Sequence, residues 1–151
     1  MVTVGSNRHT LDELFARAVA RITRHEPLAA SSAASGGALL IDIRSEVDRE
    51  RDGTIPRSLH IPRTVLEWRA DPDGARRNPH IGGLDQQIIV VCDHGFSSVF
   101  AADMLVELGF SRAGDLIGGY TAWREAGLPT KPASRRRRGP GELAGMGPPG
   151  G

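Results

Sequence analysis

"IIVVCDHGFSSVFAADMLVELGF", residues 88–110, joins a β-branched run to a turn rich in Gly and Ser, then to a segment rich in Ala, Leu, Met and Val that ends at Gly109. Four consecutive β-branched residues favour a buried, pleated strand. The Ala, Leu and Met content after the turn favours a helix, and Gly109 supplies its C-terminal stop. Cys92, the only cysteine of the chain, falls at the end of the strand.

The same alternation runs outward in both directions. Residues 9–25, "HTLDELFARAVARITRH", space Leu11, Leu14, Phe15, Ala18, Val19 and Ile22 three and four apart, giving one apolar helix stripe. Thr10 and Glu13 have capping-box spacing at its start. "PLAASSAASGG" reads as a connection, and "ALLIDI", residues 38–43, as a strand buried on both faces. "RSEVDRERDG" reads as a loop and short helix stopped at Gly53, "SLHIP" as a short strand ended by Pro62, and "RTVLEWR" as a helical turn. "DPDGARRNPHIGG" is loop chemistry throughout; "AGDLIGG" gives a last strand and "YTAWREAGLP" a last short helix. Strands alternating with helices predict an α/β fold. It is a single domain with a mostly parallel central sheet of about five short strands and helices on both faces. Ligand sites in such sheets lie at the carboxyl ends of strands, where Cys92 sits.

With 151 residues the chain suits one core. Residues 1–9 read as a lead-in, 10–130 as the domain, and 131–151, rich in Pro, Gly and Arg, as a disordered tail with little to bury. A net charge of +1 argues against a nucleic-acid binder, and the basic run at 135–138 reads as solvated tail. No stretch approaches the ~18 apolar residues of a membrane span, and the N-terminus lacks a signal-peptide core. A cytoplasmic protein is the expectation. One cysteine leaves no internal disulfide or Cys-rich metal site, so no metal and no cofactor are expected.

The Cys92 loop gathers backbone N–H groups and the positive end of a helix dipole. Gly95 permits a conformation other residues resist, and Ser97 and Ser98 can cap the helix or turn hydroxyls inward. Such a field favours thiolate over thiol and suits a nucleophile that carries an anionic adduct. A lone Cys after an apolar strand is also commonly a small core residue, and spacing alone leaves both readings open.

Several separated motifs resemble the rhodanese-like family, sulfurtransferases that hold sulfur as a cysteine persulfide. "LIDIR" resembles a family strand ending in Asp-x-Arg, here Asp42 and Arg44. "GTIPRSLHIP" is similar to the Gly-His-Ile-Pro-Gly-Ala…Ile-Pro segment, "CDHGFSS" to the active loop, and "GGYTAWREAGLP" to the C-terminal signature. The resemblance spans about residues 11–129. It implies a catalytic Cys92 that takes sulfur from a donor such as thiosulfate and yields it to cyanide or a thiol, with loop amides stabilising charge on sulfur. Small-molecule donor and acceptor are the implied partners, with a protein acceptor as a second class. A non-catalytic binding module and a protein-to-protein sulfur relay are the alternatives.

The substrate-binding loop is then Asp93, His94, Gly95, Phe96, Ser97 and Ser98. Related phosphatases need Arg six positions after Cys, where this chain has Ser98, so a phosphate clamp is missing. Asp93 places a carboxylate where some thiosulfate enzymes carry basic residues. Thr54 stands at the family's usual His and Arg57 at its usual Gly. Arg44, Arg63 and Arg69 are candidates for contact with an anionic substrate, with pairing to a carboxylate the commoner fate of Arg44; Asp42 is read as structural support. His94 either assists proton transfer or merely orients the loop. Phe96 reads as a wall of the pocket mouth.

Overall fold

Ile88–Val91 (β4) is buried at every position and occupies the middle of a five-stranded sheet. In a computed structural model describing residues 7–133, the other strands are Thr23–His25 (β1), Leu39–Asp42 (β2), Leu59–His60 (β3) and Ala113–Leu116 (β5). Their order is β1-β5-β4-β2-β3, and every neighbouring pair is parallel. The expected α/β architecture is the observed one.

Successive side chains of a strand point to opposite faces, and β4 shows this directly. Ile88, Val90 and Cys92 join a core with Ala101, Ala102 and Leu105 of α5 (Ser97–Glu107) and with Leu66 and Ala70 of α4 (Leu66–Ala70). Ile89 and Val91 join a second core with Ala30 of α2 (Pro27–Ser35) and with Tyr120 and Trp123 of α6 (Gly119–Glu125). Cys92 therefore enters on the α5 side by strand parity. Burying each such Ile or Val contributes about 1.5–3 kcal/mol, so two full cores pin the strand whose end presents the thiol.

The amphipathic N-terminal helix, α1 (Leu11–Arg21), packs on α5. Its capping box forms as the Thr10/Glu13 spacing predicts, with the Glu13 amide donating to Thr10 Oγ1 at 3.1 Å. Ser45 caps α3 (Glu46–Asp52) in the same way, donated to by the Asp48 amide at 3.1 Å. No helix among the described residues is long and apolar enough to cross a membrane.

Two elements differ from the sequence reading. The helix stops at Arg21, and Thr23–His25 forms an edge strand, because pairing with β5 outweighs a local pattern that carries no apolar alternation. Residues 27–35, expected as a connection, form α2: Pro27 stands in its first turn and alanines fill it, while Ala30 is fully buried. At the other end, Lys131 pairs with Thr54 through two backbone bonds of 2.7 and 2.9 Å. Beyond Ala133, the stretch expected to be a tail lies outside the described residues, as do residues 1–6.

Two histidines couple this fold to pH. Burial pushes the pKa of His25 below 6.5, with the nearby Asp115 charge opposing. Burial likewise lowers that of His60, against the effect of its 2.7 Å bond to the Arg44 carbonyl. The folded pKa values lie below the unfolded ones, so stability is complete above about pH 6.5 and is lost as pH falls through that value toward the folded pKa values. Melting between pH 7.5 and 5 should show Tm falling, and falling less in His60→Gln, which keeps a donor for Arg44 but cannot titrate. Equal slopes in both proteins would contradict this.

Candidate active site

The site is built where β4 ends and α5 begins. Cys92 is 5% exposed, and its Sγ accepts the Gly95 amide at 3.1 Å and the Ser98 amide at 3.4 Å. Neither amide belongs to a completed helical turn: Ser98 is the second residue of α5, and Phe96 before it offers no side-chain cap. First-turn N–H groups lack intrahelical partners, and here one of them turns to sulfur. Together with the helix dipole they make a cradle for negative charge.

The loop is clamped from behind by the start of α6. The Tyr120 amide donates to the Cys92 carbonyl at 2.7 Å and the Thr121 amide to the Asp93 carbonyl at 3.1 Å. Backbone meets backbone, and two glycines allow it. A Cβ on Gly95 (φ +83°) would lie 2.5 Å from the Gly118 nitrogen, and one on Gly119 (φ +62°) 2.4 Å from the Cys92 carbonyl oxygen. Both approaches are closer than any side chain tolerates, and both glycines hold a left-handed φ that other residues resist.

Of the remaining loop residues, His94, Phe96 and Ser97 are exposed and Asp93 is partly so. The Phe96 ring, 68% exposed, stands 6.3 Å from that of Phe15 on α1, which in turn lies 5.9 Å from Phe100. Ser98 is fully buried, and its hydroxyl donates to Asp115 Oδ2 at 2.8 Å.

Arg44 is buried and forks onto Asp42 through Nε at 3.0 Å and Nη2 at 2.8 Å, donates to the Gly53 carbonyl, and lies 3.9 Å from the Tyr120 ring centroid. Asp42 also accepts from the Arg44 amide and from Arg49. Arg63 pairs with Glu67 at 2.7 Å, and Arg69 donates to the Arg76 carbonyl at 2.6 Å, holding the loop after α4. The guanidinium that bonds to the Cys92 loop is Arg24, on β1: Nη2 donates to the Gly95 carbonyl at 2.8 Å.

Sequence reading missed Arg24 and its partner Asp115. Nε and Nη2 of Arg24 reach the two Asp115 carboxylate oxygens at 2.9 and 3.0 Å, and Asp115 is wholly buried. Those hydrogen bonds to Asp115 hold the guanidinium charged against its burial, with the Cys92 sulfur adding in the same direction. A signal existed: Asp115 is a lone acid within a short apolar strand, and buried carboxylates require a partner.

The profile of the rhodanese-like domain matches residues 26–126. The thiosulfate sulfurtransferase GlpE of Pseudomonas savastanoi is 33% identical over 102 residues, covering 67% of this chain and 86% of that protein. Over 52 residues the chain is 46% identical to the chloroplastic thiosulfate sulfurtransferase 16 of Arabidopsis thaliana, covering 34% of this chain and 42% of that one. Among solved structures, a Rhodopseudomonas palustris protein of unknown function, described as a possible tyrosine phosphatase, superposes with a TM-score of 0.75 at 27% identity, covering 82% of this chain and 96% of its own. The human single-domain sulfurtransferase TSTD1 superposes with a TM-score of 0.55 at 29% identity, covering 70% and 96%. On motif, fold and profile together, the chain belongs to the rhodanese-like family.

Proposed function

We propose that the protein is a sulfurtransferase that carries sulfane sulfur on Cys92 as a persulfide, taking it from a donor such as thiosulfate and passing it to cyanide or a thiol. The observation that carries this reading is the Cys92 sulfur facing the Gly95 and Ser98 amides at a helix N-terminus. The names of the curated relatives, thiosulfate sulfurtransferases, support the donor class.

In the first step the Cys92 thiolate attacks the outer sulfur of thiosulfate. The S–S bond of thiosulfate breaks, and sulfite leaves with its electron pair. The terminal sulfur of the persulfide then bears the negative charge, while the Gly95 and Ser98 amides that face Cys92 Sγ favour the thiolate that attacks and later departs. In the second step cyanide or a thiolate attacks that sulfur, and Cys92 departs as thiolate. Each displacement uses one thiol, so the chain needs no second cysteine. Ser98 stands where a phosphate-clamping Arg would be and spends its hydroxyl on Asp115, which disfavours phosphoryl chemistry at this loop. His94, Phe96 and Ser97, all exposed, form the mouth through which donor and acceptor reach the sulfur. A reducing cytoplasm would keep the thiol available.

One observation favours a protein-borne acceptor thiol over a small one. Phe96, exposed on the Cys92 loop, stands against Phe15, which stands in turn against Phe100, and this exposed aromatic face beside the loop is the kind of apolar surface that marks a docking site.

Incubation with thiosulfate should add ~32 Da to the intact protein, the mass of one sulfur on one thiolate. Cys92→Ser should abolish the gain, and no gain from thiosulfate, mercaptopyruvate or a small persulfide would overturn the reading. Gly119→Ala should lower Tm, with a strain cost of about 1–3 kcal/mol, and slow sulfur loading at least tenfold. A folded Gly119→Ala protein that loads at the wild-type rate would show that the α6 clamp is unnecessary.

A further inference from the structure

We propose that the Arg24–Asp115 ion pair is the positioning device of the sulfur cradle: through it, strands β1 and β5 fix both residues whose amides point at Cys92. The parallel register places Arg24 opposite Asp115, and Asp115 opposite Val90, two residues before Cys92. Partners in a parallel ladder share a face, so both side chains project on the α5 side together with the sulfur. From there the pair reaches up to the loop at two points.

The guanidinium supplies the first. Having forked onto the carboxylate, Arg24 Nη2 also donates to the Gly95 carbonyl at 2.8 Å. The Gly95 amide is the one 3.1 Å from sulfur. The carboxylate supplies the second: Asp115 Oδ2 accepts the Ser98 hydroxyl at 2.8 Å, and the Ser98 amide is the other donor to sulfur, at 3.4 Å. The contacts close into a ring, from Sγ to Gly95, Arg24, Asp115, Ser98 and back to Sγ. No other side chain among the described residues bonds to either amide-bearing residue.

The ring also settles a charge problem. A buried carboxylate on the strand beside the thiol would oppose negative charge on sulfur, and Arg24 neutralises it by a bidentate pair. The other titratable groups of the Cys92 loop are Asp93, partly exposed, and His94, exposed; Tyr120 of α6 lies in the core on the other face of β4, and Glu26 acts on Arg24 from outside. Lysine cannot replace the arginine, because one ammonium cannot span both carboxylate oxygens and the Gly95 carbonyl.

This inference rests on the proposed role of Cys92 as sulfur carrier, and it is tested without a sulfur donor. The rate of Cys92 alkylation by iodoacetamide is measured against pH on the full chain, for wild type, Arg24→Gln, Arg24→Lys and Ser98→Ala, each assayed well below its own Tm. The midpoint of the rate profile should move to higher pH by about one unit in Arg24→Gln and by less in Arg24→Lys, in line with the size of known environmental effects on thiols. A midpoint reads charge on sulfur and is insensitive to access, so a merely stabilising pair would lower Tm and leave it in place. Ser98→Ala, which removes one hydroxyl, decides the matter should the Arg24 variants fail to fold, and should shift the midpoint in the same direction. Midpoints unchanged in folded variants would overturn the inference. A wild type that fails to load sulfur would overturn the proposed function alone.

Discussion

Two backbone hydrogen bonds, from the Tyr120 and Thr121 amides to the Cys92 and Asp93 carbonyls, fix the end of β4 against the start of α6, and the site depends on them. They fix where the chain turns after the strand, and hence where the Gly95 and Ser98 amides face the sulfur. The left-handed Gly118–Gly119 turn makes the approach possible, since a Cβ on Gly119 would occupy the space of the Cys92 carbonyl oxygen. Behind the clamp lies strand parity: two cores, one on each face of β4, hold the strand rigid enough for its last residue to be placed.

The strands beside β4 follow a common electrostatic rule. Asp42 on β2 and Asp115 on β5 are both buried, and each is forked by an arginine, Arg44 and Arg24. Register sets Asp42 beside Val91 and Asp115 beside Val90, so the thiol is flanked on opposite faces of the sheet by carboxylates that arginines compensate, Asp42 by Arg44 and Arg49 and Asp115 by Arg24. Such pairs add little net stability, but breaking one by removing a partner costs about 3–5 kcal/mol because a buried charge is left uncompensated. Their value here is placement. Arg44 ties β2 to the Gly53 turn and the Tyr120 ring, and Arg24 ties β1 to the Cys92 loop.

Much of this was legible in the sequence, for physical reasons that differ between elements. Four β-branched residues before Cys92 and an Ala/Leu/Met segment after it fixed strand, loop and helix, because both patterns are local. The capping box at Thr10 and Glu13 was legible for the same reason. Arg24 was not, since it sits in a polar three-residue edge strand at the end of an amphipathic helix and its partner lies 91 positions away. Only the register of a parallel sheet brings the two together. Helix α2 escaped because it is held by the burial of Ala30, not by any stripe, and the Gly-Gly signature could be recognised without revealing that its task is close backbone approach.

The most direct test of Cys92 as an obligatory carrier separates the two displacements in time. Protein loaded with sulfur, freed of donor and then mixed with cyanide in a single turnover should lose the added ~32 Da and release one equivalent of thiocyanate, at a rate no slower than steady-state turnover. A loaded protein that stays inert to cyanide, while donor and acceptor together still turn over, would contradict the account.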